Sequence, residues 1–369
     1  MPLCCRWACI AATCLALGQV GAVPINPRSD DEVIERLPTL ARISNSNDPQ
    51  VALREASNLL DASREQGDPR FAGRALARLA RWENDPAAPP QIGVMLASIE
   101  QFLHRFDAAT RRLEAIVRRD PAQAQAWLTL ATLHRLAGRY DASDAACDKV
   151  VALRAQPYGD GCLAENRALR GSIEPARREL TALLAGAREP SIRAWLATTL
   201  AELEQRAGRV EASEAAWRVA LQGGPDTYAA LGYADLLLAA QRPADALEVL
   251  RKEAATDSVL LRRAIAAKRA ARPDAPALRK ELRERFDLAD QRPENGGHDR
   301  ERALMSLDVE GNVGVALKAA QRNVKLQREP IDVLLLARCA AAAGDTGALA
   351  EARRLAADQG LHDARLDAL

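Results

Sequence analysis

The stretch LAGRYDASDAACDKV, Leu136–Val150, admits two readings. A helix through it sets several of Asp141, Asp144, Cys147 and Asp148 on one face, and carboxylates beside a thiolate are metal-ligand chemistry. The alternative is a recurring structural unit, and recurrence is visible elsewhere in the chain. Gly138-Arg139-Tyr140 with Ser143 defines a turn residue, an apolar residue two positions on and a small one five positions on. The same pattern returns at Gly67 with Ala72, His104 with Ala109, Gly171 with Ala176, Gly208 with Ser213, Gln241 with Ala246 and Gly311 with Ala316. Gly344 closes the series, with Leu349 where a small residue belongs. Neighbouring turns lie 33 to 37 residues apart, except for one interval of 70 between Gln241 and Gly311 that leaves room for a degenerate unit, about 257–292, around Ala271-Arg272-Pro273. The series makes about nine units.

The remainder of each unit keeps the same register. Eight residues before the turns stand Leu59, Leu96, Leu130, Leu163, Leu200, Tyr233 and Leu336; one residue later come Ala97, Ala131, Ala164, Ala201, Ala234, Ala264 and Ala337. A large residue beside a small one at a fixed place lets two helices approach closely. Prolines stand ahead of every unit but the degenerate one, where a first helical turn accepts them, and Asp48, Asp85 and Asp120 precede three of these as expected caps. Nine residues after the turns come Leu76, Leu113, Leu180, Trp217 and Leu250, and Cys147 falls in the same slot. Free cysteine is among the most buried residue types. Cys147 is therefore expected in the core, and no metal site is expected in the stretch.

This pattern resembles the tetratricopeptide-repeat family over nearly everything after about Gln50. The best unit runs from Ala124 to Pro157, with Trp127, Leu130, Gly138 and Tyr140 at places the family favours. It departs from the family at Ser63, Glu100, His134 and Arg167, where a tyrosine is preferred. The resemblance implies an all-α superhelical solenoid of antiparallel helix pairs, right-handed, whose first helices line a concave face that binds peptides or protein segments. Repeat physics agrees, because each pair must bury its apolar face against its neighbours.

Composition points the same way. The chain of 369 residues is 48% hydrophobic but only 4% aromatic, and Ala, Leu and Arg are good helix formers. Trp7–Val23 is an uncharged, mostly apolar run after Arg6, ending in Val20-Gly21-Ala22. Residues 1–22 are expected to be a signal peptide cut at Ala22, too short for a stable membrane span. Residues 23–50 read as an arm with a short helix, and 51–369 as the solenoid. The expected location is periplasmic or secreted. Removing Arg6 leaves basic and acidic groups equal, 51 less one against 50, so no nucleic-acid partner is expected.

Neither a nucleophile, a phosphate loop nor a dinucleotide motif is present, and the four histidines sit at unrelated phases of different units. No enzyme activity and no cofactor are expected. Thirteen residues before three successive turns stand Tyr158, Trp195 and Tyr228; six before them stand Glu165, Glu202 and Asp235. The seven-residue offset puts each aromatic and its acid on one face, and the resemblance places those helices on the concave side. An aromatic ladder beside an acidic one suits a protein or peptide segment with apolar and basic side chains; the alternative is that the aromatics only cover the next helix. Cys147 and Cys162 bridge if their Cα atoms come within ~7 Å in an oxidising compartment; otherwise they are reduced core thiols. The expected function is an exported scaffold that tethers partners, with a self-associating envelope protein or a recruitment subunit of an enzyme complex as alternatives.

Overall fold

The computed structural model describes residues 46–85, 87–290 and 298–369. The expected signal segment with Ala22, the arm up to residue 45 and most of the 291–299 loop lie outside them. The chain divides into two units, Met1–Arg42 and Ile43–Leu369, and every described residue belongs to the second.

Among the described residues all regular structure is helical, in nine antiparallel pairs. They are α1 (Pro49–Gln66) with α2 (Pro69–Leu79), α3 (Pro90–Phe102) with α4 (Phe106–Arg119), and α5 (Ala124–Leu136) with α6 (Tyr140–Ala152). Then come α7 (Tyr158–Leu169) with α8 (Ile173–Gly186), α9 (Pro190–Arg206) with α10 (Val210–Leu221), and α11 (Thr227–Ala239) with α12 (Pro243–Leu250). The series ends with α13 (Asp257–Arg269) and α14 (Ala275–Asp290), α15 (Asp299–Leu304) and α16 (Val313–Leu326), and α17 (Pro330–Ala343) and α18 (Thr346–Gln359). A short α19 (Ala364–Asp367) follows, and α15 runs on into a π-helical turn, Met305–Glu310.

Each pair is joined at a residue in left-handed backbone conformation, and all nine such residues are the turn positions of the repeat. Six are glycine; His104 (φ 57°), Gln241 (φ 58°) and Ala271 (φ 49°) are not. The eroded unit therefore folds as an ordinary helix pair. The small residues five after the turn, from Ala72 through Ser143 and Ser213 to Ala316, are fully buried, as are the alanines seven before it from Ala97 to Ala234. Ser143 and Ser213 satisfy their hydroxyls identically, donating to the Ala131 carbonyl at 2.9 Å and the Ala201 carbonyl at 2.8 Å. Asp48 caps α1 by accepting from the Gln50 amide at 2.8 Å. Asp85 and Asp120 instead accept from the Ala87 and Ala122 amides in the loops ahead of α3 and α5, because those helices begin a few residues further on.

Consecutive odd-numbered helices pack directly on one another along the whole series, while the even-numbered ones do so less. The odd side is thus the shorter, concave side. The winding is tight enough for later units to meet earlier ones. The Arg328 amide donates to the Leu136 carbonyl at 2.7 Å, and the His362 amide to the Leu169 carbonyl at 2.8 Å. Glycine at Gly138 leaves room there for Gln359; a Cβ would stand 2.5 Å from its Cδ.

Candidate functional site: the concave face

Tyr158, Trp195 and Tyr228 stand near the starts of α7, α9 and α11, and nearly two turns further along the same helices stand Glu165, Glu202 and Asp235. Tyr228 is the most open large aromatic side chain of the three, 62% exposed, and its hydroxyl donates to Glu202 Oε1 at 2.6 Å. Tyr158 and Trp195 touch, with ring centroids 5.5 Å apart. Trp195 also lies over Gly161 of α7, where a Cβ would stand 2.5 Å from its ring, and it packs against the cluster around Leu180 and Leu196. Helix covering and groove lining are thus divided: Trp195 does more of the former, Tyr228 the latter.

The three acids do not stand alone. Glu165 pairs with Arg135 of α5 at 3.1 Å, and Asp235 takes a two-pronged contact from Arg262 of α13, at 3.0 and 3.1 Å. Glu202 has Tyr228, with the Arg206 guanidinium 3.9 Å away. Arg206 is itself buried, and its Nε and Nη2 have no hydrogen-bond partner among the described residues. Glu202 keeps 26% of its side-chain surface, yet groove walls surround it. Desolvation pushes its carboxyl above the ordinary value, Arg206 opposes this, and Glu165 adds to it. The Tyr228 phenol is held well above its usual value, first by the Glu202 charge and then by desolvation at its hydroxyl end, while the residue as a whole stays open.

Two further groups bear on this site: Asp332, which carried no repeat signature, and Tyr140, the apolar turn residue that opens α6. Asp332 of α17 is fully buried and accepts from Arg300 Nε at 2.7 Å, Asn323 Nδ2 at 2.6 Å and the Glu329 amide at 2.9 Å. Burial raises its carboxyl to about 6 even against the pull of Arg300. Glu329 also pairs with Arg300. Tyr140, pushed up to about 12 by burial, lies within the fields of Arg206, Arg135 and Glu329, so distant units converge here. Sequence offers only a faint sign of these partners: opposite charges somewhat less than one period apart.

Two of the three carboxylates of the opening stretch face Arg170, which pairs with Asp141 at 2.8 Å and also with Asp144. Cys147 of α6 and Cys162 of α7 are joined in a disulfide with Cα atoms 5.8 Å apart. Asn166 is buried beside the bond and donates to Ser143 and Asp144 at 2.9 and 2.8 Å. Cys339 is free and buried, and burial pushes its thiol up to about 12, which removes thiolate reactivity near neutral pH. Among the described residues no group of three or more His, Cys, Asp or Glu is placed to hold a metal, and no helix is long and apolar enough to cross a membrane. Aromatic rings, ion pairs and hydrogen-bonding groups on a curved wall are equipment for non-covalent binding.

A tetratricopeptide-repeat family model matches residues 94–160 and 198–259. No curated protein matches the chain. Among solved structures, a Rap protein complexed with Competence and Sporulation Factor is similar at 13% identity, over 86% of this chain and 89% of its own, with a TM-score of 0.56. The human IFIT1 dimer with PPP-AAAA is similar at 14% identity over 85% of this chain and 73% of its own, TM-score 0.51. A thermophilic TPR protein of Thermus thermophilus, TTC0263, is 20% identical over 52% of this chain and 100% of its own, TM-score 0.44. Two matched repeat blocks, set within nine helix pairs built on one turn, make this chain a member of the tetratricopeptide-repeat superfamily.

Proposed function

We propose that the chain is an exported, non-catalytic scaffold that binds a protein or peptide segment on its concave face and tethers partners through it. The observation that carries this is Tyr228: a large aromatic ring left open on a concave wall, its hydroxyl already held by Glu202. An aromatic with its polar end fixed and its ring free suits an interface anchor. The structurally similar Rap protein was solved with Competence and Sporulation Factor, which is in keeping with a helical-repeat groove occupied by another molecule. Because Glu165 and Asp235 are committed to Arg135 and Arg262, basic side chains of a partner must exchange for those arginines, and apolar side chains supply most of the affinity. The disulfide between Cys147 and Cys162 supports export, since such bonds persist in oxidising compartments.

Recovery of partners from an envelope extract on immobilised chain tests the reading. Wild type captures a protein that Tyr228→Ala loses at unchanged melting temperature. Equal capture by both overturns the groove assignment. An intact Met1 on native protein from a cytosolic fraction overturns export.

A further inference from the structure

Where the later units meet the earlier ones, a cavity of about 290 Å³ lies between the α4–α5 edge and the end of α16. That is near the lower end of the volume of small-molecule sites. Phe106, Leu133 and Leu136 form its wall on the earlier side, and Leu326 faces them from the later side. The hydrogen bond from the Arg328 amide to the Leu136 carbonyl joins the two sides.

Cations outnumber acids around this cavity. Arg139 enters from the turn before α6, Lys325 and Arg328 from the end of α16, and the lining holds one acid, Asp107. Several arginines that reach between helices elsewhere meet carboxylates, as Arg135 meets Glu165 and Arg262 meets Asp235. Arg139 instead contacts a ring nitrogen of His134, Nδ1, at 3.1 Å, and Arg328, just past α16, donates from Nε to the Val324 carbonyl of that helix at 3.0 Å. The winding therefore brings cations from two separate stretches around one partly apolar space. Like charges gathered around one space repel one another. An anion between them removes that repulsion, and the apolar walls accept the rest of the molecule.

We infer that this seam cavity is a binding site for a small organic anion, an apolar body carrying a carboxylate or phosphate group, and that its occupant ties the two edges together. Its lining includes none of the concave residues from Tyr158 to Asp235 described above. Phosphate and carboxylate share the chemistry that three clustered cations select, and the probes below distinguish them.

Calorimetric titration of the full chain with phenyl phosphate, benzoate and neutral benzyl alcohol, at one ionic strength, tests it. One anion equivalent is taken up per chain, with benzyl alcohol at least tenfold weaker; the tighter of the two anions identifies the head group. Arg139→Gln with Lys325→Gln alters two exposed residues and weakens the anion at least tenfold with an unchanged circular-dichroism melt. Thr110→Phe fills the space, keeps every charge and abolishes uptake. The inference is overturned if neither anion binds at millimolar concentration, if benzyl alcohol binds as well as the anions, or if the charge variant binds as wild type does.

Discussion

At His104, Gln241 and Ala271 the backbone adopts a left-handed conformation without glycine. For an L-residue that conformation costs about 1–2 kcal/mol, and glycine's extra unfolded-state entropy returns roughly 0.5–1 kcal/mol of any gain. Ala271→Gly should therefore raise the melting temperature by about 1–3 °C, readable in a thermal melt; a lower value would show that the turn tolerates a Cβ freely. Gly138→Ala should do the reverse and more, since it adds a Cβ 2.5 Å from Gln359. Glu202 offers a test in pH. Its raised carboxyl value means that the folded chain holds this proton more tightly than the unfolded chain does, so its contribution to stability declines as pH rises above the unfolded value of about 4.3. Glu202→Gln should stabilise near neutral pH and have little effect below about pH 4, where wild type is already protonated. A gain that persists at acid pH would sink this account.

The helix pair is the element that carries stability, and the bond between α6 and α7 strengthens one junction between units. Cys147 and Cys162 are 15 residues apart, and closing a loop of that length restricts the unfolded chain by about 3 kcal/mol. Cys147→Ala with Cys162→Ala should lower stability by an amount of that order, measured by denaturant unfolding, while wild type without reductant shows neither cysteine open to alkylation after denaturation. The two groove aromatics should separate at this scale as well. Trp195→Ala removes packing over Gly161 and should cost up to about 3 kcal/mol. Tyr228→Ala should stay within about 1 kcal/mol of wild type. Equal losses would mean that both rings serve the core.

For the solenoid as a whole, the joined edges decide how open the groove is. A Cβ placed on Gly208 would lie 3.8 Å from the Ala364 Cβ, within the spacing that a disulfide spans. Gly208→Cys with Ala364→Cys should therefore bridge spontaneously under oxidising conditions, detected by mass spectrometry, and should raise the melting temperature relative to the reduced form. Failure to bridge in the folded protein would mean that α19 does not rest against the α9–α10 turn in solution.

The repeat was legible because its requirements are local. A left-handed turn at Gly138, a small residue at Ser143 and a large one at Leu130 are needed within a single helix pair, so each unit writes them again in its own residues. Even the eroded unit around Ala271 could be placed by its distance from its neighbours. The concave residues were legible as positions, since Tyr158, Trp195 and Tyr228 share one phase, but not as environments. Whether Trp195 covers Gly161, and whether Glu165 is free or held by Arg135, depends on the angle between adjacent units, a sum of small rotations that no single unit encodes. The meeting of Arg328 with Leu136, and the cations gathered there, depends on that angle accumulated over several units. Sequence alone thus determined the helix pairs, about nine of them, and the shared phase of the concave aromatics; only the tertiary winding decided which charges are paired, which aromatic stays open and where distant turns touch.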